Sequence, residues 1–249
     1  MSTMTNMIIG IVGSPRKDGL TSRLVDAALE GAKLGNAEVK KFYLVDFDVK
    51  PYVGVWESCP EDLSRLCEEA EAIVLGSPVY HGDVSGLTKS FMETVRISNA
   101  DGKPALGLSM AGGTGKGLLS GIQSIYHFFY HRRLRGIDPT PVSRFNFDEA
   151  LKGLLASGRK LAKLSRDKRS FRGLSDVSQY YQSLPFLNSD ILDEFMLLVI
   201  KLLKVSKSNR IEYAKEEYEK AKSLTKSGDR VDAVRHAVDA YEALYFEGT

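Results

Sequence analysis

The chain has 249 residues, 43% hydrophobic and 27% charged, the balance of a globular protein with enough apolar surface for a sizeable core. A net charge of only +2 offers no electrostatic basis for binding nucleic acid, and the two cysteines, Cys59 and Cys67, build no disulfide framework and suit a reducing compartment. The apolar run Phe195–Ile200 is too short to span a bilayer and MSTMTN lacks a basic signal region, so the expected setting is cytoplasmic with no membrane partner.

Met7–Val12 is a short, branched apolar run that stops at Gly13, the pattern of a buried parallel strand. A helical pattern follows over Ser22–Leu34, then a more mixed strand, Val39–Leu44, suited to an outer place in a sheet. Next come a helix over Glu61–Ala70, a strand over Ala72–Ser77 and a helix over Val84–Ile97. A strand over Pro104–Met110 and a helix over Gly117–Leu134 continue the series. A strand near Thr140–Ser143, which its prolines restrict to an edge, precedes a helix over Phe147–Leu164. Alternation of this kind implies right-handed crossovers, a parallel sheet and helices on both faces.

Beyond about residue 168 no strand pattern recurs. Arg169–Pro185 reads as an ordered connector carrying Phe171, Tyr180 and Tyr181, followed by helices over Ser189–Val205, Asn209–Ser227 and Asp229–Phe246. The last two form a hairpin like part of a tetratricopeptide-type repeat, but one pair cannot bury a solenoid's faces. The expected organisation is therefore an α/β domain over 1–168 and a connector with a helical extension over 169–249, serving docking or oligomerisation.

Ligands of such sheets bind at the carboxyl ends of the strands, and three loops there carry the chemistry. Gly13-Ser-Pro-Arg-Lys-Asp-Gly-Leu-Thr-Ser22 joins the first strand to the first helix. Unpaired helix N–H groups and the positive end of the helix dipole favour a phosphate at that point. Ser14, Thr21 and Ser22 add hydroxyl donors and Arg16 a charge-assisted one. The spacing is neither that of a Walker loop nor G-x-G-x-x-G, which leaves a mononucleotide phosphate as the better fit. The plainer alternative is a surface turn in which Thr21 caps a helix. The second loop, Gly76–Gly82, has a proline and an aromatic that let backbone curve around a flat ring, with Tyr80 offering a stacking face. The third, Met110–Gly117, carries four glycines and permits close approach of backbone to ligand.

GSPRKDGLTS after the first strand and GSPVYHGDVSGLTKSF from the third together resemble the flavodoxin-fold NADPH-dependent FMN reductases, in particular the iron–sulfur flavoproteins of archaea and anaerobes. The resemblance covers about residues 6–165. It implies a flavodoxin-like, doubly wound five-stranded sheet of order 2-1-3-4-5, with FMN phosphate held by Ser14, Arg16, Thr21 and Ser22. Pro78, Val79, Tyr80, His81 and Gly82 would wrap the isoalloxazine, and Gly112, Gly113 and Thr114 would lie along its other side. His81 admits two readings, contact with the flavin edge or nicotinamide, and simple exposure to solvent.

The chain departs from that branch where a cysteine cluster is due. In Lys50-Pro-Tyr-Val-Gly-Val-Trp-Glu-Ser-Cys59 the frame of Lys50, Pro51 and Gly54 persists, but Tyr52, Val55 and Ser58 stand in place of thiols. With two cysteines against the usual four ligands, no iron–sulfur cluster is expected. Cys67 fits a helix core position, Cys59 is either a buried thiol or one near the flavin, and Trp56 either covers the ring or packs elsewhere. Phe91-Met-Glu-Thr94 replaces an Asp-Arg pair frequent in relatives. His127 and His131 share a helix face without the Glu of H-E-x-x-H, so a partner-facing helix is favoured over a metal site. The basic run 159–172 admits an acidic partner or nucleic acid, with a solvated helix face as the ordinary explanation.

The function these features imply is an FMN-dependent oxidoreductase taking electrons from NADPH or NADH and passing them to a quinone, free flavin or small redox protein. The alternative is an FMN-holding carrier or scaffold with little NAD(P)H turnover, and a third is a flavin-free interaction protein. A homodimer or tetramer is expected, and no catalytic side chain is nominated.

Overall fold

The computed structural model describes residues 6–54, 59–167 and 169–246. The first strand, β1 (Met7–Val12), lies between β2 (Glu38–Tyr43) and β3 (Ala72–Tyr80), with β5 (Pro104–Ala111) and β6 (Arg135–Ser143) beyond β3. All of these neighbours pair in parallel, and the path is β2-β1-β3-β5-β6. The extra number comes from β4 (Asp83–Val84), a two-residue strand antiparallel to the end of β3. Without it the five long strands run 2-1-3-4-5, the doubly wound order expected.

Alternation along each strand divides the core. Ile9 and Ile11 of β1 and Ile73 and Leu75 of β3 face one side, with α2 (Glu61–Glu69), α3 (Gly86–Thr94) and α4 (Leu118–His131) packed over them. Ile8 and Val12, Val74, and Leu106 and Leu108 face the other, under α1 (Leu20–Leu34) and α5 (Phe147–Asp167). Central strands covered on both faces need side chains apolar at every position, which is why these runs were legible. β2, with a half-exposed EVKKFY pattern, sits at one edge and β6 at the other. Pro139 and Pro141 are tolerated in β6 because one side of an edge strand needs no donors. β6 starts at Arg135, earlier than its prolines imply, with a register shift opposite Leu106–Leu108 beside Asp138, whose φ is +43°. Lys160 and Ser157 of α5 donate to that Asp138 carboxylate at 2.6 and 3.0 Å.

The connector is more regular than expected, since α6 (Leu174–Gln182) lies within it. Tyr181 donates to Leu134 O at 2.6 Å and Tyr180 to Gly136 O at 2.7 Å, so its tyrosines tie it to the start of β6. α7 (Ile191–Leu203), α8 (Ile211–Ser227) and α9 (Arg230–Tyr245) follow. The hairpin between the last two closes at Gly228, whose φ of +91° suits glycine at a helix C-terminus. Leu198, Leu202, Ala240 and Leu244 share a buried cluster with Ala111, Leu118 and Leu119. The extension therefore packs on the carboxyl end of β5 and the start of α4.

Candidate flavin-binding cleft

At the carboxyl ends of β1, β3 and β5 lies a cleft of ≈ 870 Å³, within the range of ordinary ligand sites. Its first wall is the turn after β1. Ser14, 4% exposed, accepts a hydrogen bond from Arg16 N–H at 3.1 Å, folding the turn back towards Gly19. Gly19 starts α1 with no side-chain cap, which leaves first-turn N–H groups for a ligand. Thr21 is buried and lines the cleft; Arg16 lines it exposed, with no carboxylate partner among the described residues.

The second wall differs from the loop expected. β3 continues through Ser77 and Pro78 to Tyr80, then reverses into β4 over His81 and Gly82. Both central residues have positive φ, +51° and +83°, as a two-residue type I′ hairpin requires. The strand thus runs three residues past the expected end at Ser77, and the segment expected to curve around a ring is a hairpin whose turn is His81-Gly82. Tyr80 is 49% exposed on the cleft and His81 is exposed at the turn.

Ser85 locks the first two walls together. It caps α3 by accepting from Thr88 N–H at 3.1 Å, while its own hydroxyl donates to Gly13 O at 2.7 Å. Gly13 N–H donates to Gly76 O at 2.7 Å, and a Cβ on Gly13 would lie 1.8 Å from Thr88 Oγ1, so only glycine fits. Ser85 also explains why α3 starts at Gly86 rather than at Val84, which belongs to β4.

The third wall is the glycine loop after β5. Gly113, Gly115 and Gly117 have φ of +47°, +78° and +84°. A Cβ on Gly112 or Gly113 would meet nothing within 4 Å, so backbone there stands open to a ligand. Ser120 of α4 hydrogen-bonds to Gly82 O, joining this wall to the hairpin.

Of the residues expected at the site, Ser14, Arg16, Thr21, Pro78, Val79, Tyr80, His81, Gly82, Gly112, Gly113 and Thr114 all line this one cleft. Ser22 does not. Its side chain is 2% exposed and its Oγ is hydrogen-bonded to Tyr43 and Lys41, under β2. Helix periodicity is the reason, since consecutive residues Thr21 and Ser22 point about 100° apart. Met110, Lys116, Ser120 and Glu194 also line the cleft; Lys116 lay within the quoted glycine loop, whereas nothing in the sequence marked Glu194.

The donor set fits FMN: an uncapped helix start and an arginine with no carboxylate partner among the described residues for an anion, then open backbone and an exposed aromatic for a flat ring. It does not fit an iron–sulfur cluster. Cys67 is fully buried in the core, where burial pushes its thiol up to about 12. Cys59 is 8% exposed, also raised by burial, and accepts from Ser64 Oγ at 3.7 Å. Val55, Trp56 and Ser58 lie outside the described residues. His127 and His131 are exposed on α4, but the aromatics beside them face inwards: Phe129 is in the core and Tyr130 is hydrogen-bonded to Ser178 of α6 at 3.1 Å.

The model of the family described as NADPH-dependent FMN reductase matches residues 6–139, more than half of the chain. An iron–sulfur flavoprotein of Methanocaldococcus jannaschii is 33% identical over 140 residues, 49% of this chain and 70% of the relative. One from Archaeoglobus fulgidus is 29% identical over 184 residues, 68% of this chain and 91% of the relative. Another from that organism is matched over only 43% of its length. Among solved structures, a flavone reductase has a TM-score of 0.55 at 16% identity, covering 70% of each chain. An NADH:FMN oxidoreductase has a TM-score of 0.52 at 17% identity, covering 74% of this chain and 100% of the other. These two likenesses concern the fold.

Proposed function

Because the chain belongs to the NADPH-dependent FMN reductase family, we propose that it is an NAD(P)H-dependent oxidoreductase whose cleft holds FMN and delivers electrons to a quinone, a free flavin or a small redox protein. The observation that carries this reading is the junction, within one cleft, of the uncapped start of α1 with Arg16 on one side and the hairpin and glycine loop on the other. FMN, when bound, supplies the redox chemistry.

The chain's own residues bind and orient. The first-turn N–H groups of α1 and the Arg16 guanidinium hold the phosphate, and the helix dipole contributes about 0.3–1 kcal/mol, or ~2 where partly buried. Ser14 shapes the turn that presents those N–H groups. Backbone of Pro78–Gly82 and of Gly112–Thr114 flanks the ring, and the glycines let peptide groups approach it without a Cβ between. Tyr80 supplies a stacking face. No side chain in the cleft is assigned an acid or base role.

The test is an absorption spectrum of the purified protein before and after adding FMN, followed by stopped-flow mixing with NADPH and with NADH. Uptake of FMN with fast bleaching by either nucleotide is expected. A flavin that bleaches slowly with both would make the protein a carrier or scaffold, and no uptake would end the flavoprotein reading.

A further inference from the structure

The extension beyond residue 168 lies outside the family match, yet it supplies part of the cleft wall. Glu194, in the first turn of α7, accepts the backbone N–H of Gly117 at 2.8 Å through Oε1 and that of Leu119 at 3.0 Å through Oε2. Those N–H groups form the start of α4, the cleft's other helix N-terminus and a position that would otherwise suit an anionic ligand. A carboxylate from the chain itself occupies it.

A second contact comes from α9. Tyr241, 3% exposed, donates its hydroxyl to Thr114 O at 2.8 Å. Between the two contacts Leu198 presses on the loop, since a Cβ on Gly115 would lie 2.8 Å from Leu198 Cδ2. On its far side the loop meets the hairpin, where a Cβ on Gly117 would lie 2.7 Å from Gly82 Cα. A glycine loop with positive φ at three positions loses much conformational freedom when ordered, and contacts from α7 and α9 hold it in one shape.

We propose that the C-terminal extension is a working part of the cofactor cleft, with Glu194 and Tyr241 as positioning residues that hold the glycine loop against the hairpin, and with the Glu194 carboxylate closing the α4 terminus to anions so that the α1 terminus alone receives the phosphate. The proposal rests on the FMN reading. A fixed negative charge in the cleft wall opposes the addition of electrons to a neighbouring ligand. Loss of that charge therefore moves the flavin midpoint potential in the positive direction, an effect that loop packing alone would not produce.

The experiment compares wild type, Glu194→Gln, Glu194→Asp and Tyr241→Phe, each checked for folding by circular dichroism. FMN affinity is read by fluorescence titration and midpoint potential by dye-coupled reduction. Glu194→Gln removes the charge and also one of the two acceptors, its NH2 facing the N–H of Gly117 or Leu119. Glu194→Asp, which keeps the charge on a shorter stem, is therefore the control for loop displacement. Glu194→Gln is expected to shift the potential positive and Glu194→Asp to stay near the wild-type value. Tyr241→Phe is expected to keep the potential and weaken FMN binding by threefold or more. A folded Glu194→Gln with unchanged potential overturns the electrostatic role, and a Tyr241→Phe with unchanged FMN affinity overturns the positioning role, including when Glu194→Gln fails to fold. If wild type takes up no FMN, the flavin reading fails first, and that result is distinct from either.

Discussion

Arg16 and Lys201 show how differently a cation behaves on a rim and in a core. Arg16 stands exposed at the cleft with no carboxylate partner among the described residues. A charge-assisted hydrogen bond contributes about 1.5–3 kcal/mol, so Arg16→Ala should weaken FMN binding roughly 10- to 100-fold while leaving the melting temperature nearly unchanged. Equal FMN affinity in a titration would remove Arg16 from the phosphate site. Lys201 is 8% exposed under β6, with Nζ donating to Pro141 O at 3.3 Å. Burial lowers its pKa to about 8, the nearby Lys204 adding to the shift and Glu149 opposing it. Below that value the folded protein carries a buried charge that the unfolded chain solvates, at a cost on the order of 3 kcal/mol. Between pH 8 and the ordinary lysine value of 10.5 the unfolded state binds more protons, so this site makes stability rise with pH. Lys201→Met should therefore melt higher than wild type at pH 7, with the difference narrowing by pH 10. A gap in melting temperature that does not depend on pH would refute this account.

Among the elements, the β3–β4 hairpin and the start of α3 carry the most structural information per residue. Ser85 caps α3 and holds the Gly13 carbonyl, while Ser90 on the same helix makes only an exposed bond to Gly86 O at 2.9 Å. Loss of a cap costs about 1 kcal/mol and loss of a buried hydrogen bond about 0.5–1.5, since Thr88 Oγ1, at 3.5 Å, still reaches Gly13 O. Ser85→Ala should then destabilise by about 1.5–2.5 kcal/mol in denaturant unfolding and loosen FMN binding, with Ser90→Ala close to neutral. Comparable losses for both would show that Ser85 acts only as a helix residue. The strands and helices of the α/β layer were legible because each burial pattern repeats along its own segment: period two at the edge, unbroken apolar runs in the centre, and period 3.6 in the helices. The hairpin lies where the sequence pattern implies a loop, because the unbroken apolar run ends at Gly76-Ser77 and no alternation marks the residues that follow. Its place at the strand's end, beyond the neighbouring pairing of Pro78 with Met110, is a tertiary fact.

On the scale of the whole molecule, no helix among the described residues is long and apolar enough to cross a membrane. The extension spends its buried alanines and leucines on the α/β layer and on itself, yet Val231 is 85% exposed, Leu174 69% and Ile191 69%. We propose that part of this surface is covered by a second copy of the chain, giving a homodimer or tetramer. Light scattering at micromolar concentration should return at least twice the 27.5 kDa mass of the chain, and a monomer at every concentration would exclude the assembly. The expected boundary near residue 168 remains a proposal about the unit of folding. Contacts cross it at Glu194 and Tyr241, so a chain cut there should lose the support of its glycine loop.

The amino-acid sequence by itself determined the order of strands and helices, the doubly wound sheet and the two motifs whose loops line the cleft. Each of these is written in contiguous residues whose periodicity or turn chemistry acts over a few positions. Only the tertiary structure decided that Thr21 faces the cleft while Ser22 turns to Tyr43, that the second loop is a hairpin, and that Glu194, 77 residues beyond Gly117, closes the start of α4. Those outcomes depend on which faces meet once the chain has collapsed. A side chain that acts by filling another element's unsatisfied backbone groups leaves no periodic trace in its own segment.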